Sequence, residues 1–121
     1  MTPAQTARAE ELITRHLTMS GQTLDALRKA GLNDEMQVSL EFPFVSPTEP
    51  KALALLGHLE TNDCLNLSVM KTGGVFSRKW LVTGQTHPTP LNVRVIAQWL
   101  PWIVVQGIAH DCEFDGWGAE V

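Results

Sequence analysis

The sequence predicts an α+β fold, and three observations carry that expectation. Short segments with apolar residues at every second position alternate with longer segments of helical spacing. The helical segments open on Ser or Thr followed by Pro, a pairing that caps and starts helices. Their order is helix, then strand-helix-strand-strand-helix-strand.

Thr2-Pro3 with Gln5 reads as an N-cap, a first-turn Pro and a capping-box partner. Ala9, Leu12, Ile13 and Leu17, then Leu24 and Leu27, continue one stripe in a long helix over about 3–30. Ser20-Gly21 is its weak point and Gly31 its stop. Met36, Val38, Leu40, Phe42 and Phe44 then face one way and Gln37, Ser39 and Glu41 the other, a half-buried strand ending near Pro43 to Pro47. Ser46-Pro47-Thr48-Glu49 opens a second helix whose buried side is Leu53, Leu56 and Leu59.

Leu65, Leu67 and Val69 form the next strand, Gly73-Gly74 a hairpin turn, and Phe76, Trp80 and Val82 the return. Thr89-Pro90 starts a last helix running towards His110, with Pro101 expected to bend it. Cys112 and Phe114 then share one face of a short strand. Residues 1–121 read as one domain, with a ferredoxin-like part over about 35–118. That fold is an antiparallel β-α-β-β-α-β sheet of strand order 4-1-3-2 with both crossover helices on one face; the N-terminal helix is an addition.

Composition narrows the function. Nine Lys and Arg stand against thirteen Asp and Glu, a net charge of -4 that gives no electrostatic reason to bind phosphate backbones. The polar N-terminus lacks the apolar run of a signal peptide, and the most apolar stretch, Val95 to Ala109, is interrupted by Gln98, Pro101 and Gln106. A cytoplasmic protein with two reduced cysteines, Cys64 and Cys112, is the expectation.

No enzyme is expected, and no cofactor or metal. His16, His58, His87 and His110 are scattered over different elements, and Gly73-Gly74 lacks the surroundings of a phosphate-binding loop. In the assumed strand order Cys64 and Cys112 lie on opposite sheet edges, about 14 Å apart, too far for a disulfide or a shared zinc ion. The exposed positions of the central strands, Gln37, Ser39 and Glu41 with Ser77, Lys79 and Leu81, offer no aromatic on which a base could stack.

Two features point instead to protein partners. The last helix is apolar nearly all round, so its second face is covered either by the first helix or by a partner or a second copy of the chain, a homodimer formed by self-association through Trp99, Trp102 and Val105. The ending Asp111, Glu113, Asp115, Gly116, Trp117 and Gly118 sets an aromatic between glycines amid unbalanced negative charge. That is interface chemistry, or else a tryptophan closing the core at a tight turn.

Three segments carry a resemblance: Asp25 to Asp34, the strand Leu40-Glu41-Phe42-Pro43-Phe44, and Phe114-Asp115-Gly116-Trp117-Gly118. With the element order, they resemble the RraB family, regulators of ribonuclease E activity. The resemblance implies a leading helix before a ferredoxin-like domain, and a non-enzymatic protein that binds an endoribonuclease and restrains RNA turnover. The chain differs from that pattern at Asn33-Asp34, and in carrying three residues after Gly118 in place of a long acidic tail. The second expectation, from a different class, is an immunity protein that neutralises one bacterial toxin.

Overall fold

A computed structural model describes residues 1–73 and 79–119. Its first helix begins as the capping residues require. Thr2 Oγ1 accepts from the Gln5 amide at 3.1 Å, and the Gln5 side chain accepts from the Thr2 amide at 2.8 Å. Helix α1 (Pro3–Lys29) then runs through Ser20-Gly21 without a break. Ser20 is buried and its hydroxyl donates back to the His16 carbonyl at 2.6 Å, so the expected weak point is held inside the helix.

The end of α1 is a paired turn. Gly31 takes φ 105°, its amide bonds the Arg28 carbonyl at 3.1 Å, and the Leu32 amide bonds the Leu27 carbonyl at 3.0 Å. The same hydrogen-bond pair closes α2 (Glu49–Thr61) and α3 (Val93–Ala109), but with Asp63 and Asp111 in the left-handed position. Asp tolerates that conformation less well than Gly. Asp63→Gly is therefore expected to raise stability by about 0.5–1 kcal/mol, read as a higher urea midpoint at unchanged slope. A lower midpoint would mean that the Asp63 side chain stabilises its turn.

The strands are β1 (Gln37–Val38), β2 (Glu41–Ser46), β3 (Leu65–Lys71), β4 (Trp80–Gln85), β5 (Thr89–Pro90) and β6 (Glu113–Phe114). One sheet has the order β3-β4-β2-β6 with every neighbouring pair antiparallel; β1 and β5 form a separate two-stranded ribbon. The class is α+β, with three helices among the described residues.

Several expectations are corrected. The strand expected from Met36 to Phe44 is split, because Gln37 and Val38 leave the main sheet to pair with Pro90 and Thr89. Met36 lies outside it and is 40% exposed. Thr89-Pro90 is that ribbon's partner and does not start the last helix. Asn92 caps α3 instead, its Oδ1 accepting from the Val95 amide at 2.9 Å. In α2 the buried residues are Ala52, Leu55 and Leu59, while Leu53 is 50% exposed and Leu56 half-buried. Ala52, a small residue, occupies the face turned to the core. As expected, the last helix contains Pro101 and ends at Ala109, next to His110. Gly74 of the expected hairpin turn, Phe76 and Ser77 fall outside the described residues.

The core lies between the sheet and the helices. Phe42, Phe44, Val82 and Phe114 project from the sheet into it, and Phe44 meets Phe42 and Phe114 edge-on, each at 5.7 Å between ring centroids. α2 rests on β3, β4 and β2, α3 on β6, and α1 packs along α3. The second apolar face of α3 is thus covered largely within the chain. No helix among the described residues is long and apolar enough to cross a membrane.

Candidate functional site

The C-terminal segment is built into the sheet by a bulge. Phe114 pairs with Phe44 and Glu113 with Val45, yet Gly118 pairs with Glu41, which leaves one extra residue on the C-terminal side. Gly116 absorbs it at φ 117°, a conformation open to glycine. Strict alternation after a buried Phe114 would turn Trp117 away from the helices. The extra residue reverses that parity and turns it towards them. Trp117 Nε1 then donates to Ser20 Oγ on α1 at 2.9 Å. The indole is half-buried against the core.

The acidic residues of this segment divide into two groups. Asp111 pairs with Lys51 at 3.0 Å, and Glu113 with Arg8 at 2.8 Å. These bridges are surface contacts that tie the C-terminal segment to α2 and α1. Asp115 enters no ion pair among the described residues; its amide donates to the Pro43 carbonyl at 3.0 Å and its side chain is exposed. Beside it on β2 stands Glu41, which the sequence reading placed on an exposed strand face but not at a site. Asn66 Nδ2 donates to Gln85 Oε1 at 2.7 Å, and Gln85 Nε2 donates to Glu41 Oε1 at 3.2 Å. Glu41, Pro43, Asn66, Thr83, Gln85 and Asp115, with Gly116 to Gly118, line an open hollow of about 520 Å³.

The three residues set out for self-association differ in exposure. Trp99 is half-buried and packs against the core beside Phe42 and Phe114, at 6.1 and 6.0 Å between centroids. Val105 is half-buried, and Trp102 is 37% exposed. Trp99 faces the sheet because α3 lies against β6, a placement that helical periodicity alone does not supply.

Two histidines are not scattered after all. His58 and His110 meet between α2 and α3 with centroids 4.9 Å apart. Gln106 joins them: its carbonyl bonds His110 Nδ1 at 2.9 Å and its side-chain oxygen bonds His58 Nε2 at 2.5 Å. This is a helix-to-helix latch. No group of three His, Cys, Asp or Glu suited to a metal ion occurs among the described residues. Cys64 and Cys112 are free thiols, both pushed up in pKa, chiefly by burial.

His16 lies under the C-terminal segment, its ring edge-on to Phe114 at 4.9 Å. It is buried, and its Nε2 has no hydrogen-bond partner among the described residues. Burial first, then Arg15, holds its pKa below the usual value, against the opposing pull of the Phe114 backbone and Asp115. The folded chain thus takes up this proton less readily than the unfolded one. Stability is unaffected by His16 above about pH 6.5 and falls as the pH drops below it. His16→Phe is expected to flatten the loss of stability between pH 7 and 5, measured by urea denaturation at each pH. An equal loss in both proteins would assign it elsewhere.

No protein-family model matches the chain, and a search of the curated proteins finds no match either.

Proposed function

We propose that the chain is a non-enzymatic, protein-binding regulator on a ferredoxin-like framework, of the kind the RraB family represents, acting on ribonuclease E in the cytoplasm. The framework reading is supported by the order β3-β4-β2-β6 with antiparallel neighbours. Numbered among themselves along the chain, those four strands read 2-3-1-4, and the β1–β5 ribbon and α1 are additions. The observation that carries the regulatory reading is the placement of Phe114 to Gly118. This segment extends the sheet edge and leaves Asp115 uncompensated beside Glu41 on the side away from the helices. Such a surface is suited to recognition of a basic protein, because unpaired carboxylates steer an oppositely charged partner.

The test is capture of purified ribonuclease E by the immobilised chain, together with the rate at which that enzyme cleaves a model RNA. Binding that weakens with added salt, and slowed cleavage, are the expected results. Absence of binding at low salt would defeat the proposal. Capture of a toxin encoded beside the gene would replace it with the immunity reading.

A further inference from the structure

We infer that the open face of the β3-β4-β2-β6 sheet is the docking surface, and that its occupant is a basic amphipathic helix of a protein partner. The inference rests on the regulatory reading and adds where the partner sits and what chemistry it presents.

The apolar part of the surface is a row in register. Val45 pairs with Leu81, and Leu81 with Met70, so three apolar side chains stand side by side across β2, β4 and β3. Met70 is 51% exposed. Adjacent strands lie about 4.8 Å apart, so the row is about 10 Å long, comparable to the diameter of one helix. In the next row the Ser68 and Thr83 hydroxyls are hydrogen-bonded to each other at 2.8 Å.

The charged part lies one row further along. Glu41 receives a single directed hydrogen bond through the Asn66–Gln85 relay, which fixes its carboxylate and leaves lone pairs for an external donor. Asp115 shares the hollow with it. Among the described residues neither carboxylate has a cation within ion-pair distance, whereas Asp111 and Glu113, the other acidic residues of β6 and the turn before it, are bridged to helices. Of the acidic residues from Asp111 to Asp115, the one left unbridged therefore lies on this face, with Glu41 near it. An apolar row beside uncompensated carboxylates is complementary to a helix carrying apolar residues on one stripe and Lys or Arg next to it. A phosphate backbone would meet repulsion at the same place.

The experiment maps backbone chemical shifts of the isotope-labelled full chain. It is titrated with a synthetic Leu/Lys amphipathic helical peptide, with its Leu/Glu counterpart, and with ribonuclease E. The Lys peptide is expected to move Val45, Met70, Leu81 and Gln85, and the Glu peptide to bind at least tenfold more weakly. Replacing Glu41→Gln with Asp115→Asn should weaken the Lys peptide about five- to tenfold and flatten its salt dependence. Met70→Ser should cost about threefold with salt dependence unchanged. Shifts confined to the helices, equal binding of both peptides, or a sheet-to-sheet dimer that excludes them would overturn the inference. Ribonuclease E bound with shifts elsewhere would sink it and leave the regulator reading standing. Lys-peptide docking on the sheet, with ribonuclease E ignored, would do the reverse.

Discussion

Gly107→Ala is expected to destabilise the domain by about 2–3 kcal/mol, although it places the best helix former inside a helix. The intrinsic gain from Ala is about 1 kcal/mol. Against it, a Cβ at position 107 would meet Phe44 Cε1 at 2.6 Å, Phe44 Cδ1 at 2.8 Å and the Cys112 carbonyl oxygen at 2.9 Å. Phe44 is wholly buried between Phe42 and Phe114, so it has nowhere to retreat. The Cys112 backbone is fixed by its own bond to the Gly107 carbonyl at 2.9 Å. Urea denaturation gives the number. Phe44→Leu in the Gly107→Ala background should cost less than Phe44→Leu alone, since the smaller side chain relieves the overlap. Full stability in Gly107→Ala would mean that α3 does not approach the sheet so closely.

Trp117→Ala should cost about 3 kcal/mol, from lost apolar burial and the cavity left under the C-terminal segment. Ser20→Ala removes only the hydroxyl that accepts the indole N–H at 2.9 Å, and should cost about 1 kcal/mol. The same variants separate structure from recognition. Trp117→Ala is expected to lower stability and partner affinity together, because the bulge that presents Asp115 loses its anchor. Asp115→Asn should lower affinity alone. An unchanged melting temperature for Trp117→Ala would show that the indole does not anchor the segment.

How far the sequence speaks depends on the range of the interaction concerned. Helix α1 was legible end to end, because Thr2, Gln5 and Gly31 act within a few residues of themselves. The buried face of β2 was legible through Phe42 and Phe44, since alternation is a local rule. The face of α2 was not: Leu53-Leu56-Leu59 and Ala52-Leu55-Leu59 are both helical stripes, and only the sheet beneath selects one. Trp117 could be noticed but not aimed. Its direction depends on one extra residue in the ladder, for which Gly116 was the available sign. The separation of Asp111 and Glu113 from Asp115 rests on Lys51 and Arg8, distant in the chain, and Glu41 joins Asp115 only through the adjacency of β2 and β6.

The bond from Trp117 to Ser20 spans 97 residues, and those from Arg8 to Glu113 and Gln5 to Ile108 span 105 and 103. The first helix therefore leaves the ribosome well before the elements on which it packs, and is among the last of the described elements to find its place. At about 5–20 residues per second, its apolar stripe waits on the order of ten seconds for α3 and the final strand to be made. During that interval Leu12, Leu24 and Leu27 have no cover from α3, on which α1 later packs. Aggregation or chaperone capture of the nascent chain should centre on α1. Slower translation of the codons for α3 and for the segment that follows it would prolong that exposure.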